Sequence, residues 1–307
     1  MRKRLQNRVA ESRFAFPIAS LYALAIWMFA GAVADRLYVQ LALFALSTLM
    51  MVYINNSNAL IRIYSRMVSC SFIVMTCAVA FVFSSVECAV VQTGFVMFYL
   101  SLFRCYQDKR SPGIAYYSFL CLGIVSLFFV HILYFVPFFW VLMGSNLMSM
   151  NIKMLLASLL GLITPYWFAA GYCFYIGQPE WMLEHFVQLG EFQSVLCIET
   201  VDIHRIVTFA VFLLMAIIGM VHFMRNSYLD KIRTRMIFEM FITVDLLVIV
   251  FMVLQPQHYD MLLPLMIVNT SCLYAHFVSL TKTRLTNITF VVIGIILLSL
   301  TVYNLLA

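Results

Sequence analysis

The sequence predicts an all-α, polytopic transmembrane helical bundle, and three observations support this prediction. Hydrophobic residues make up 64% of the 307 residues, and charged residues only 10%. The apolar residues form runs of roughly 20, the length at which a helix crosses a bilayer. The bases fall in short clusters between these runs, a pattern of membrane topology and not of nucleic-acid binding. A soluble domain could not cover so much apolar surface, so residues 1–307 are expected to form a single transmembrane domain in a lipid bilayer, without a nucleic-acid partner.

The amino-terminal segment MRKRLQNRVAESR carries five bases and one acid and precedes an apolar run at residues 14–34. This run ends in Ala32-Val33-Ala34, which imitates the cleavage site of a signal peptide. Its length is typical of a membrane span and favours an uncleaved first helix. Only Asp35 and Arg36 precede the second run, residues 37–54, so a tight helical hairpin is expected.

The 113–144 stretch is too long for one span and short for two. Two short passages, broken near residues 131–137, place 17 of the 19 bases on one side, whereas a single passage divides them 11 against 8. The positive-inside rule therefore favours two passages. The total becomes about 11 membrane segments. The other segments are expected at residues 67–85, 88–103, 154–176, 206–224, 236–254, 261–280 and 288–306.

Charge also predicts the orientation. The basic side becomes cytoplasmic, with the amino terminus inside and the carboxyl terminus outside. Eight of the 13 acids then lie outside. Five of them belong to the longest polar stretch, the extracytoplasmic loop 178–205.

That loop predicts an interfacial amphipathic helix at residues 179–193, with Trp181 as its anchor. Polar residues, among them Glu184 and His185, alternate with apolar ones at helical spacing. Two interpretations remain open at this point. The helix is a solvated cap on the bundle, or it forms the wall of a substrate groove in which Glu184 and His185 contact the substrate.

A second polar group occurs where the loop meets the next apolar run. Glu199, Asp202 and His204 offer hard oxygen ligands and one imidazole, a set that could hold a divalent cation. Arg205, the only base of the loop, could bind substrate. The alternative is that Asp202 caps the following helix and the other residues are solvated. Cys197 in the same loop could form a disulfide with Cys88, although most cysteines are expected to be small buried hydrophobes.

Charged residues elsewhere supply further candidates. Asp245 falls near the middle of its apolar run. An acid at this depth either belongs to a functional pathway or pocket, or forms an interhelical hydrogen bond. Arg62 and Arg66 share a face with Asn55 and Asn58 and could hold a lipid phosphate, or could serve packing and topology. His222 and His276 are expected to be wetted at the cytoplasmic interface. The sequence contains no Gly-rich phosphate loop and no zinc-binding spacing.

Two stretches carry a resemblance to known proteins: NNSNALIRIYSRMVS and YYSFLCLGIVSLFFVHILYFVPFFWVLM followed by LLASLLGLITPYWF. They resemble a family of polytopic inner-membrane proteins of Bacteroidetes-type bacteria, which implies no particular activity. The central stretch is also distantly similar to C-type glycosyltransferases, which use polyprenyl-phosphate sugars. Its similar positions are Gly123, Ser126, His131, Pro137, Lys153, Gly161 and Pro165.

The second resemblance implies a catalytic Asp just outside the first helix, and Asp35 is the matching residue. The sequence departs from that family because only two residues, and not a long outer loop, follow the first helix. The predicted function is action at the periplasmic face on a polyprenyl-linked sugar or a similar lipid-borne substrate, with Asp35 as general base. The alternatives are a turn ion pair between Asp35 and Arg36, a transporter or flippase that uses Asp245, and a non-catalytic subunit of an envelope assembly. Whether the protein is an enzyme therefore stays open.

Overall fold

The computed structural model describes residues 4–177, 180–192 and 202–306. All regular structure in these ranges is helical. The α-helices are α1 Leu5–Glu11, α2 Ala15–Phe29, α3 Tyr38–Asn58, α4 Met67–Cys77, α5 Val86–Leu102, α6 Pro112–Phe128, α7 Val136–Ser145, α8 Ile152–Ile176, α9 Glu180–Val187, α10 Ile203–Asn226, α11 Ile232–Leu254, α12 Tyr259–Leu280 and α13 Arg284–Leu306.

Seven helices in the described ranges are long and apolar enough to cross a membrane, or eight if the bent pair α1–α2 forms one span. This confirms the all-helical class, with several helices that could cross a membrane, but not the predicted number of about 11 segments. The difference arises from α4, α6 and α7, which have 11, 17 and 10 residues. At about 1.5 Å per residue, none of them covers a hydrocarbon core of about 30 Å.

The first predicted segment is also shorter than the apolar run suggests. The helix ends at Phe29, and residues 30–37 form turns instead of continuing the span. Gly31 adopts a positive φ of 82° within these turns. The connection to α3 is therefore eight residues long and not the expected two-residue hairpin.

Helix α12 lies at the centre of the bundle and contacts α4, α5, α10 and α11. In its most apolar 18-residue window, 94% of the residues are buried inside the protein. The buried residues therefore lie on all sides of the helix, which is typical of a helix surrounded by other helices. The outer helix α13 differs, because only 22% of its corresponding window is buried.

The connections between helices segregate at two ends of the bundle. One end, here called the basic end, comprises residues 4–14, 58–66, 103–111, 146–151, 226–231 and 281–284. The other, the acidic end, comprises residues 30–37, 78–85, 129–135, 177–192, 202 and 255–260, within the described ranges. Hydrogen bonds join the connections and the adjoining helix turns within each end. At the basic end they link Gln6 to Thr281, Ser65 to Ser279 and Arg233 to Asn58. At the acidic end they link Gln40 to Ser84 and Gln257 to Glu191.

The 112–145 stretch leaves the basic end and returns to it. The Gln107 amide donates to the Leu147 carbonyl at 2.8 Å, and the Asn151 side chain donates to the Lys109 carbonyl at 2.8 Å. Between the two ends of the stretch, helix α6 stops at Phe128 and a 3₁₀ segment, Val130–Phe135, leads into α7. The break therefore falls where the sequence places it.

Helices α6 and α8 pack closely because glycines face the partner backbone. A Cβ atom on Gly161 would lie 2.3 Å from the Tyr116 carbonyl oxygen, and one on Gly123 would lie 2.7 Å from the Leu162 carbonyl oxygen. Small residues at such crossings let two membrane helices approach until their backbones touch. This pair forms the base on which the outer loop rests.

Candidate functional site

Helix α9 covers the acidic end of α6 and α8. His185 turns into the bundle, is 6% exposed, and has its Nε2 atom 3.0 Å from the Ser126 carbonyl oxygen. Its ring stacks on Trp181 at 5.1 Å between centroids. Burial lowers the pKa of His185, against an opposing contribution from the hydrogen bond to Ser126. His185 therefore anchors the amphipathic helix, whereas Glu184 is exposed on its outer side.

The residues after α9 continue across the acidic end. The Tyr134 hydroxyl donates to the Leu189 carbonyl, and the Gln257 side chain donates to the Glu191 carbonyl at 3.3 Å. The Phe192 ring lies 5.9 Å from the Tyr134 ring. Residues 180–192, here called the cap, thus bridge the 3₁₀ segment 130–135 and the connection before α12.

Two histidines meet beneath the cap. The rings of His131 and His258 lie 3.9 Å apart, and we call them the outer histidine pair. His131 is 5% exposed, and its Nε2 atom is buried without a hydrogen-bond partner among the described residues. The Nε2 atom of His258 lies 3.0 Å from Nε2 of Gln257, an amide nitrogen that can only donate.

An apolar groove of about 160 Å³ opens beside the outer histidine pair. It is lined by Tyr134, Phe135, Phe138, Leu247, Val250, Phe251 and Leu254. Phe138, Val250 and Leu254 are exposed on the side of the bundle that faces lipid. Phe251 also contacts both histidines, with ring centroids 6.2 Å from His131 and 6.1 Å from His258. The groove is therefore separated from the two imidazoles by the Phe251 side chain, which lines the groove on one side and contacts both histidines on the other.

Arg205 forms a separate ion cluster at the start of α10. Its guanidinium bonds both carboxylate oxygens of Asp260 at 3.0 Å and also contacts the Asp202 carboxylate. Asp202 has the backbone geometry of an N-cap but makes no side-chain capping bond, because Arg205 occupies its carboxylate. The ring of His204 packs edge-on against Phe81 at 5.2 Å.

These contacts bear on the predicted cation site. Among the described residues, no three His, Cys, Asp or Glu side chains are arranged to hold a metal ion. Glu199 lies outside the described residues, as does Cys197, so the divalent cation and the disulfide stay predictions. Asp202 is engaged by Arg205 in this structure, and His204 packs against a phenyl ring.

Asp35 lies in the turns after α2, exposed to the surroundings. Its Oδ2 atom is 2.6 Å from where a Cβ atom would stand on Gly31, so the carboxylate folds back over that glycine. No ion pair between Asp35 and Arg36 occurs in the described part of the chain. The contacts of the cap involve α6, α8, residues 130–135 and residues 255–260, and the structure does not bring Asp35 together with them.

Asp245 is fully buried between α11 and α12. Its Oδ2 atom accepts a hydrogen bond from Thr270 Oγ1 at 2.9 Å, while Oδ1 has no partner in the described ranges. On the neighbouring turn of α12, Asn269 Oδ1 accepts from the Tyr99 hydroxyl at 2.8 Å. The interhelical hydrogen bond, one of the two interpretations of Asp245, is therefore present.

The basic end holds a second pair of histidines, His222 and His276, with ring centroids 5.4 Å apart. We call them the inner histidine pair. His276 Nε2 lies 3.0 Å from Asp230 Oδ2, and Arg62 lies 3.9 Å from the other oxygen of Asp230. The prediction of a wetted interface is wrong for His276, which is fully buried. Phe223 of α10 and Phe238 of α11 pack against its ring and exclude water from it.

The two candidate arginines have different surroundings. Arg62 donates to the Leu229 carbonyl at 3.3 Å in addition to its contact with Asp230. Arg66 lies over the Tyr64 ring at 5.7 Å. Arg62 therefore serves packing between connections at the basic end, which is one of its two interpretations.

The sequence points to some of the outer site and misses the rest. His131 enters only through the resemblance in the central stretch, and His258 carries no signal of its own. The one local indication is that His258 belongs to a short polar segment, PQH, which separates two long apolar runs. Nothing in the sequence indicates that these two residues, more than a hundred positions apart, have rings in contact.

Comparison with known proteins does not assign the chain to a family. No protein-family model matches the chain, and no curated protein or solved structure matches it significantly.

Proposed function

We propose that the protein binds a lipid-borne substrate, such as a polyprenyl-linked sugar, at the acidic end of the bundle. The observation that carries this proposal is the apolar groove that opens to lipid and shares Tyr134 and Phe251 with the outer histidine pair. An isoprenoid chain needs an apolar channel, and its phosphate needs hydrogen-bond donors at the channel end. The groove and the pair supply both.

In this proposal the phosphate lies against His131, whose Nε2 atom is buried and unpaired. A phosphate oxygen there would accept a hydrogen bond from the imidazole and favour its protonated form. The cap separates the site from water, and Glu184 and Glu191 are exposed where a polar head group would leave the groove. The distant resemblance to polyprenyl-phosphate-sugar-dependent glycosyltransferases points to the same substrate class.

The proposal includes a membrane arrangement. The acidic end faces the periplasm and the basic end the cytoplasm of a bacterial inner membrane, with about 11 segments that include α4, α6 and α7 as short passages. Every described base except Arg36 and Arg205 lies at or near the basic end, which supports this orientation. Cysteine labelling from each side of the membrane at residues 36 and 231 would test it.

Binding is tested with purified protein in detergent, titrated with a polyprenyl phosphate and monitored by native mass spectrometry. We expect His131→Gln and Phe251→Ala each to weaken binding at least tenfold. His222→Gln, in the inner pair, is the matched control and should bind normally. Equal affinity in His131→Gln, Phe251→Ala and the unmodified protein would refute the proposal.

A catalytic version adds Asp35 as general base for sugar transfer, with a cation or acceptor near Glu199, Asp202 and His204. Asp35 is exposed and forms no ion pair with any residue that the structure describes, so Asp35→Asn should leave the fold intact. Transfer from a polyprenyl-phosphate sugar should then be lost while binding persists. Full transfer activity in Asp35→Asn removes this role from Asp35.

A transporter or flippase is the second candidate, and the unpaired Oδ1 atom of fully buried Asp245 favours it. In this case Asp245→Asn should abolish ion-coupled flux in proteoliposomes. Asp245→Asn protein with normal flux would leave Asp245 with its structural role, the hydrogen bond to Thr270.

A further inference from the structure

A concave basic surface lies at the basic end, where α6 and α8 begin side by side. It encloses about 520 Å³ and is lined by Lys109, Arg110, Pro112, Asn151, Ile152 and Lys153. We call this surface the basic notch. It lies at the end of the bundle opposite the outer histidine pair.

Two helix starts add to the positive charge of the side chains. Pro112 is the first residue of α6 and Ile152 the first of α8, so the amino ends of both helices lie at the notch. Each helix amino end carries a partial positive charge of about one half. The Asn151 side chain accepts from the Met154 amide at 2.9 Å and donates to the Lys109 carbonyl at 2.8 Å. This bridge fixes the two connections relative to one another.

The acid that precedes the notch in the chain, Asp108, is hydrogen-bonded within its own connection. The Asp108 carboxylate accepts hydrogen bonds from the Ser111 hydroxyl and from the Arg110 amide, the latter at 2.8 Å, and these two bonds lower its pKa. Asp108 also interacts with the charge of Arg110 but is not a lining residue. Within the described ranges, Lys109, Arg110 and Lys153 form no ion pair with an acid.

An apolar stripe runs from the notch along α8. Ile152, Leu156, Leu160 and Ile163 are all exposed and follow one another at steps of three or four residues, so they share one face of the helix. Such a stripe at membrane depth contacts acyl chains. A ligand with an anionic head and an apolar tail would thus meet complementary surfaces at both ends.

We propose that the basic notch binds the phosphate group of an anionic phospholipid, whose acyl chains lie along the exposed stripe of α8. The bases and helix amino ends recognise the phosphate, and the stripe distinguishes a lipid from a free anion. Basic pockets between membrane helices are typical sites for such head groups. The site is independent of the substrate proposed for the acidic end.

The test uses the purified full chain in a neutral detergent, titrated separately with phosphatidylglycerol, phosphatidylcholine and inorganic phosphate. Native mass spectrometry counts bound lipid, and the unfolding temperature reports stabilisation by any of the three. Each base near a membrane surface contributes roughly fivefold to the affinity for anionic lipid. We therefore expect Lys109→Gln/Arg110→Gln/Lys153→Gln to bind phosphatidylglycerol at least tenfold more weakly.

Two further variants complete the test. Arg225→Gln removes an exposed base elsewhere near the basic end and should bind phosphatidylglycerol normally. Lys153→Glu reverses one charge within the first turn of α8, where an acid suits the helix dipole, so the protein should fold and still bind less lipid. Unchanged binding in the triple variant, or equal binding of phosphatidylcholine, would overturn the proposal. Equal stabilisation by inorganic phosphate alone would show a free-anion site and overturn the lipid assignment.

Discussion

The two histidine pairs are built from the same side chains but have different surroundings. The inner pair has an acid, since Asp230 lies 3.0 Å from His276 and has a side chain that is 2% exposed. The outer pair has no carboxylate in hydrogen-bond contact among the described residues, and exposed Glu191 is a charge that acts on it only from a distance. In the inner pair, His276 Nε2 has a carboxylate partner, whereas His276 Nδ1 and His222 Nε2 are buried without a hydrogen-bond partner in the described ranges and no groove lies beside them. The outer pair leaves a buried Nε2 atom beside a groove, where an external ligand can complete it.

This contrast shows why burial alone does not locate a site. His276 is more deeply buried than His131, yet it is surrounded by Phe223, Phe238 and its carboxylate partner. A buried polar group without an internal partner costs free energy that a ligand can recover. The predictions below test this distinction, beginning with the largest expected effect.

His276→Leu should destabilise the protein by about 3 kcal/mol, because among the described residues it leaves the buried Asp230 carboxylate with Arg62 at 3.9 Å as its one charged partner. His258→Leu should cost less than about 1 kcal/mol, since no charged group loses its partner. Unfolding in mixed detergent micelles, followed by circular dichroism, measures both. Similar losses for the two variants would remove the distinction between the pairs.

Tyr134→Phe should loosen the cap over the outer pair by about 1 kcal/mol, because it deletes the hydrogen bond from the hydroxyl to the Leu189 carbonyl. Hydrogen exchange of the amides at residues 186–191 should accelerate about fivefold. Exchange around the inner pair should not change. Tyr117→Phe, at an exposed position on α6, is the control.

Acidification should release α9 gradually. Burial lowers the pKa of His185 in the docked state below its value of about 6.5 in a solvated chain. The docked state of α9 therefore binds fewer protons than the released state. The docked state is most stable above pH 6.5, and its stability declines as the pH falls below 6.5. Hydrogen exchange of residues 181–187 between pH 8 and pH 5 measures this, after correction for the intrinsic rate. The decline should vanish in His185→Gln, and a decline of the same size there would assign it to another group.

Asp35→Asn should have the smallest effect on stability, within about 0.5 kcal/mol, because the side chain is exposed. The measurement is the same unfolding titration. A neutral effect makes this variant suitable for the transfer assay of the catalytic hypothesis. A large loss would mean that the carboxylate stabilises the turn over Gly31, and activity data for the variant would then have a structural explanation.

Amphipathic periodicity located α9 between residues 179 and 193, and charge balance located the break in the 112–145 stretch. Both features depend on local patterns, in which each residue's environment follows from its neighbours along the chain. Segment lengths were less well predicted. Apolar composition continues past Phe29 into the turns at residues 30–37, so hydropathy could not show where α2 ends.

The sequence by itself determined that the chain is a helical membrane protein with nearly all of its bases at one end. The reason is that burial in lipid requires apolar residues, and the membrane interface favours charged ones. The tertiary structure alone decided which polar residues have partners. Asp230 and His276 are 46 positions apart, and His131 and His258 are still farther. Whether an imidazole is paired inside the fold or left open beside a groove depends on how distant helices pack, which no local pattern encodes.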